Sequence, residues 1–301
     1  MSQKSVQLNA ERFIAAAMAH LEPLKGKYIY DPIAQDYRRK TEQIDGGYAR
    51  WLGKALPYIV QHYGLSSHPR LLDFGCGTGE LTVLMNVLGF QTTGIDVHEK
   101  HLELARLLAE DNGLPSSTFV QSQEQGRLPF PNDSFDIVTL FVVLEHLSDE
   151  VLAWLLPELR RVCCGVIYVL VPNKLQTRDD HTGLRFVPWM PRALATWYIK
   201  LRGERYRYAI SKDGGWDVYY RSFKRIEQQF AGAGLCIAFP PDDIIFPPLS
   251  EAGPIHRVGL TFSLMGRRFS LGFPLPVRTL SRLGWPKQSL YPYLNLFFVS
   301  R

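Results

Sequence analysis

Arg70-Leu71-Leu72-Asp73-Phe74-Gly75-Cys76-Gly77-Thr78-Gly79-Glu80 is an apolar run that ends in an acid, turns through three alternating glycines and opens a helix. Glycines at every second position let the backbone turn tightly and approach a ligand that a Cβ would hold off. Beyond them Leu81, Leu84, Met85 and Leu88 follow the i, i+3, i+4, i+7 spacing of an amphipathic helix. Strand, glycine turn and helix together place a nucleotide-like ligand at the carboxyl end of the first strand of an α/β sheet. A tight turn with no ligand is the plain alternative.

The spacing narrows the ligand. A dinucleotide fold takes Gly-x-Gly-x-x-Gly, with the third glycine allowing close helix–strand packing, and after Gly75 and Gly77 that position holds Glu80. Here the pattern is Asp-x-Gly-x-Gly-x-Gly from Asp73 to Gly79. It resembles motif I of the class I S-adenosylmethionine-dependent methyltransferases. In that family the glycine turn passes beside the methionine part of the cofactor and the acid helps hold its amino group.

The chain has 301 residues and a formal charge of +5, more than a minimal α/β domain of roughly 150–200 residues needs, without requiring a second core. A pI of about 9.0 suggests an anionic partner, although the charge is modest for this size. The four cysteines (Cys76, Cys163, Cys164, Cys236) show neither secreted-type pairing nor Cys-x-x-Cys spacing, so reduced, buried thiols in the cytoplasm are expected. Phe13–Met18 is too short for a secretory signal. No apolar run reaches the roughly 20 residues that span a bilayer.

Residues 10–62 read as helical. A second strand, Gln91–Asp96, ends in an acid at the distance where a carboxylate takes ribose hydroxyls; a helix cap is the alternative role for Asp96. A helix over Glu99–Asn112 and a short strand over Thr118–Val120 follow. A fourth strand runs through Phe141, and a helix ending at Val162 should be interrupted by Pro157. An apolar fifth strand covers Gly165–Val171, a helix Ser222–Gly232, a sixth strand Leu235–Phe239 and a last strand Leu294–Ser300. Alternating strands and helices argue for a Rossmann-like, mostly parallel sheet with helices on both faces. The divisions read from this pass are an N-terminal helical cap (1–62), a core (63–173), a cap insertion (174–220), more core (221–240), a second insertion (241–290) and a final strand (291–301).

Leu128-Pro129-Phe130-Pro131, Ser134-Phe135-Asp136-Ile137-Val138, Leu144-Glu145-His146-Leu147 and Pro172-Asn173 extend the resemblance. They are similar to the small-molecule methyltransferase subgroup that includes the ubiquinone- and menaquinone-biosynthesis enzymes, over about residues 60–173 and 222–240. The resemblance implies seven strands with the last antiparallel, and S-adenosylmethionine as cofactor. It implies that Asp73, Gly75, Gly77 and Gly79 line the methionine side. Asp96 and the adjacent Val97 would sit by the ribose, Gln123 or Glu124 by the adenine, and Phe141 would offer backbone to the amino acid part. Two stretches depart from the family: Gln123–Arg127, which is longer than usual, and Arg161–Gly165, where a Lys-Pro-Gly-Gly turn is usual.

An alcohol acceptor benefits from a base, and histidine titrates near neutrality. His146, just past the fourth strand, is the first candidate, with a structural role beside Glu145 as its alternative; His181, on the first insertion, is the second. No metal site is expected. The first insertion continues into a helix with Leu194, Trp197, Tyr198 and Leu201 on an apolar face and Arg192, Lys200, Arg202, Arg205 and Arg207 as basic neighbours. Such a helix either meets a membrane surface through residues 184–207 or packs that face on the core as a plain cap. Arg257, Arg267, Arg268, Arg278, Arg282 and Lys287 make the second insertion basic, which suits phosphate or carboxylate groups. The expected acceptor is a small molecule, glycan or lipid-linked compound, anionic and partly apolar, methylated on oxygen. N- or C-methylation, or cofactor binding without catalysis, are the alternatives. Nucleic acid is not expected: no Asp/Asn-Pro-Pro-Tyr segment or Pro-Cys nucleophile stands after the fourth strand.

Overall fold

The computed structural model describes residues 8–25, 30–43, 47–123, 126–211, 213–246, 257–264, 267–274 and 286–300. Seven strands form one sheet: β1 (Arg70–Phe74), β2 (Gln91–Asp96), β3 (Phe119–Gln121), β4 (Phe135–Phe141), β5 (Cys163–Pro172), β6 (Leu235–Ala238) and β9 (Tyr293–Ser300). A hairpin of β7 (Arg257–Leu264) and β8 (Arg267–Pro274) stands outside it. The order is β3-β2-β1-β4-β5-β9-β6. β1 to β5 pair in parallel, while β9 runs antiparallel to both β5 and β6. The expected reversal of the last strand is therefore present.

The sheet forms because its central strands are apolar on both faces, the mark of a parallel sheet covered twice. Side chains alternate along each strand. Leu71, Ile137, Val166, Tyr168, Leu170 and Phe297 enter one apolar layer with α3 (Ala49–His62) and α4 (Glu80–Val87). Leu72, Val138, Ile167, Val169, Leu296 and Phe298 enter the other, with α6 (Asp149–Val162) and α8 (Phe223–Gly232). The N-terminal α1 (Glu11–Leu21) packs on α5 (Glu99–Asp111) through Phe13, Ala17, Leu104 and Leu108. Strand order reverses between β1 and β4, and at such a point an α/β sheet opens a crevice at its carboxyl edge.

Two local expectations are corrected. Pro157 does not interrupt α6, which runs on to Val162. Ser148 caps its start by accepting from Val151 N, and Leu152, Leu155, Leu156, Leu159 and Val162 are all buried; that apolar contact outweighs one lost backbone bond. Nor are all the thiols buried: Cys164 is exposed, with Sγ 3.4 Å from the Asp136 carboxylate.

Residues 174–220 build a small core of their own from Leu184, Val187, Ala195, Ile199, Ala209, Trp216 and Val218. On α7 (Arg192–Leu201) it is Ala195 and Ile199 that face this core, whereas Leu194, Trp197 and Leu201 are 47%, 60% and 67% exposed. Three of the four residues of the apolar face expected to pack inward if the helix were a plain cap thus point outward, while Tyr198 packs against this core. The helix turns its small, narrow side to the protein.

Candidate active site

A cleft of about 780 Å³ opens at the carboxyl edge of the sheet, beside the β1–β4 reversal. The glycine turn makes one wall. Gly75 and Gly77 have φ of 72° and 54°, in the left-handed region that side chains rarely adopt. A Cβ on Gly75 would lie 2.7 Å from both Val143 methyls, so the turn fits only without one. Gly79 departs from its expected role. It does not border the cleft but caps α4 at φ 84°, and a Cβ there would meet Phe119 at 2.6 Å and Ala105 at 2.7 Å. Its task is close packing of α4 on its neighbours.

Asp73 ends β1 at the cleft and is only 3% exposed. Thr82 Oγ1 donates to its Oδ2 at 2.6 Å and Thr139 Oγ1 to its Oδ1 at 2.9 Å. Burial pushes its pKa up to about 6, with the charges of Glu80 and Asp96 adding to the rise and the two hydroxyls opposing it. A buried carboxylate in this state favours a cationic ligand. Asp96, ending β2, accepts from Gly77 N through Oδ2 and from His98 N through Oδ1, both at 2.9 Å. It therefore braces the glycine turn and the start of α5 while each oxygen keeps a further lone pair, and Asp96 borders the cleft. Both roles foreseen for Asp96, ligand contact and helix start, are open to it at once. Val97, Gln123 and Phe141 also border the cleft; Glu124 lies outside the described residues.

The opposite end is built where β4 stops. Val142 takes φ 58°, costly for a β-branched residue and typical of functional sites. Its N–H is nevertheless bonded to Leu170 O at 2.8 Å. The following turn, Leu144–His146, delivers His146 to the cleft. His146 Nδ1 lies 3.0 Å from the Asp217 carbonyl; donating there leaves Nε2 with its lone pair. His181 arrives from the insertion, with its ring centroid 4.9 Å from that of His146. Burial, and then the His146 charge, lower the His181 pKa. The two histidines, read separately as candidate bases, stand side by side.

Two neighbours escaped the sequence reading. Glu145 is 1% exposed, and burial raises its pKa to about 8. Arg221 is 8% exposed and donates to the Leu144, Leu147 and Tyr219 carbonyls and to Asp149. It clamps the turn that carries His146. No local spacing signals Arg221; for Glu145 the signal was an acid that follows the apolar run Phe141–Leu144 and directly precedes a histidine.

Residues 71–164 match the family described as "Methyltransferase domain". The chain carries a methyltransferase domain. A ubiquinone biosynthesis O-methyltransferase of Paramagnetospirillum magneticum is 33% identical over 141 residues, 46% of this chain and 51% of that protein. The protein of the same name from Ruegeria pomeroyi is 35% identical over 141 residues, 46% and 52% of the two chains. The chain thus spans about half the length of these curated relatives. A solved S-adenosylmethionine dependent methyltransferase from Mesorhizobium loti aligns with a TM-score of 0.48 at 15% identity, over 85% of this chain and 99% of that one. Within the methyltransferase domain the residues present fit S-adenosylmethionine. Gly75 and Gly77 line the cleft with bare backbone at positive φ, the buried Asp73 carboxylate, suited to an ammonium, lines the same cleft, and Asp96 keeps acceptor capacity for ribose hydroxyls.

Proposed function

We propose that this protein transfers a methyl group from S-adenosylmethionine to a hydroxyl of a small-molecule, carbohydrate or lipid-linked acceptor. One observation carries the reading. A single cleft joins the Asp73–Gly77–Asp96 cradle to the paired His146 and His181. The O-methyltransferase names of the partial relatives support oxygen as the acceptor atom.

When bound, the cofactor supplies a methyl group already activated by its sulfonium. The chain's task is then placement and proton removal. Asp73, the Gly75–Gly77 turn, Asp96 and Gln123 would hold the donor, and the end of β4 fixes its distance from the histidines. Holding two reacting groups in line supplies up to about 7–11 kcal/mol. His146 and His181 line the far end of that cleft, where an acceptor hydroxyl would have to lose its proton, with His146 oriented by the Asp217 carbonyl.

We further propose that α7 meets an anionic membrane surface, which would suit a partly apolar acceptor. Its outward Trp197 and Leu201 lie beside exposed Lys200, Arg202 and Arg205. No helix among the described residues is long and apolar enough to cross a membrane.

Calorimetry with S-adenosylmethionine and its demethylated product tests the cofactor reading; binding of neither defeats it. His146→Ala should keep cofactor affinity and lose most turnover of an alcohol acceptor. Turnover near wild type would make His146 structural.

A further inference from the structure

The far end of the cleft holds three side chains of metal-ligating type, Glu145, His146 and His181, and two of them carry buried donor atoms without a hydrogen-bond partner. Neither carboxylate oxygen of Glu145 has a hydrogen-bond partner among the described residues, though both are buried. The same is true of His181 Nε2. One donor atom each from Glu145, His146 and His181 lies within 4.8 Å of the other two. Ligands on a tetrahedral ion with bonds of about 2.1 Å are roughly 3.4 Å apart, so side-chain rotation of about an ångström closes the set. A buried, unpartnered carboxylate is costly on its own, and a cation between it and two imidazoles satisfies all three.

The surroundings are negative. Asp179, Asp180 and Asp217 act on His181, and Asp180 also acts on Glu145. Arg221, whose charge also reaches Glu145, already donates to Asp149 and to three carbonyls. The histidines are held as ligands usually are, by outer contacts that fix ring orientation. The Asp217 carbonyl holds Nδ1 of His146. The loop of His181 is pinned by Asp179, which accepts from Thr182 N at 2.6 Å and from Tyr220 OH at 2.8 Å.

We infer that Glu145, His146 and His181 bind one divalent first-row metal ion, of the class that zinc and cobalt represent, with an open position facing the cleft. Two imidazoles and one carboxylate leave room for an oxygen ligand. Its ability to bind stands apart from the activity; its role rests on the proposed methyl transfer. An acceptor hydroxyl taken at that position loses its proton to cleft water while the O–H electron pair stays on oxygen. The ion lowers the hydroxyl's pKa for that step, and the metal-held oxygen is left as the nucleophile. The histidines then serve as ligands and not as the base.

The test uses the full chain stripped with a chelator and titrated with Co²⁺, followed by visible absorption and metal analysis. One ion per chain is expected, with nitrogen- and oxygen-ligated Co²⁺ bands that Zn²⁺ displaces. His181→Ala and Glu145→Gln should each weaken Co²⁺ binding at least about tenfold while S-adenosylmethionine binding, read by calorimetry, is retained and so reports an intact fold. A wild-type chain that binds no stoichiometric Co²⁺ or Zn²⁺ overturns the inference, as do variants that bind Co²⁺ as tightly as wild type. If a variant loses its fold, the stoichiometry and spectrum of the wild type decide alone. Co²⁺ binding without any S-adenosylmethionine binding would instead overturn the methyl-transfer reading and leave the metal site standing.

Discussion

Replacing Glu145 by glutamine should change how the metal-free protein responds to pH. The carboxyl is almost fully buried, and burial lifts its pKa from 4.5 to about 8. Between those two values the folded chain holds a proton that the unfolded chain has released. Stability must therefore fall as pH rises, with the loss beginning near 4.5 and levelling off above about 8. One pKa unit corresponds to about 1.4 kcal/mol, so the contribution from Glu145 alone between pH 5 and pH 9 is about 4 kcal/mol. Glutamine carries no proton to lose and keeps the shape. Asp73 is also raised by burial but is common to both proteins and cancels in the difference, while Asp180, whose charge acts on Glu145, enters as part of the Glu145 effect. Denaturant unfolding in excess chelator at pH 5 and pH 9 gives the measurement. Wild type should lose about 4 kcal/mol more than Glu145→Gln over that interval. Parallel pH profiles would mean that Glu145 is solvated or already paired, and would remove the electrostatic case for a cation at the histidines.

The glycine turn allows a sharper steric test. Gly75→Ala places a Cβ 2.7 Å from both Val143 methyls at a φ of 72°, and the backbone conformation alone costs about 1–2 kcal/mol; calorimetry should show cofactor binding lost, and unchanged binding would place the ligand elsewhere. Asp96→Ala removes the acceptor for Gly77 N and His98 N and should weaken cofactor binding by about tenfold or more, in line with about 1.5–3 kcal/mol for a charged hydrogen bond. Trp197→Ser with Leu201→Ser, both well exposed, should change stability by about 0.5 kcal/mol or less each yet reduce sedimentation with anionic liposomes. Equal sedimentation of variant and wild type would argue for an outward face without a lipid role.

That Asp73, Gly75, Gly77 and Asp96 line one cleft was legible because their pattern is local. Asp73 and the glycines sit within seven residues, and Asp96 follows on the next strand, so a linear pattern holds most of the geometry. Central strands such as β5 show as unbroken apolar runs because both faces are covered. The points that the sequence missed or left open share a cause, which is that tertiary contacts chose between local options. Pro157 stays inside a helix because five buried side chains hold α6 in place. Gly79 bears the family pattern, but its close neighbours are Phe119 and Ala105 and not the cleft. Along α7 a periodicity of three and four cannot say which stripe faces inward when a stripe of Ala195 and Ile199 is sufficient. Glu145, His146 and His181 come from two segments 35 positions apart in sequence, so no spacing rule links them, and a search for metal sites by short motifs passes over them.

The insertion between β5 and α8 begins and ends at fixed posts. At its start Asn173 is buried and donates through Nδ2 to the Ser289 and Tyr291 carbonyls, both at 2.8 Å. At its end Arg221 fastens the returning chain to the turn that bears His146. Loop closure costs grow only slowly with the length between such anchors. On the proposed methyl transfer, grafting a different stretch between Asn173 and Arg221 should change acceptor preference like swapping a tool head, while Asp73, Gly75, Gly77 and Asp96, which lie outside that stretch, stay as they were.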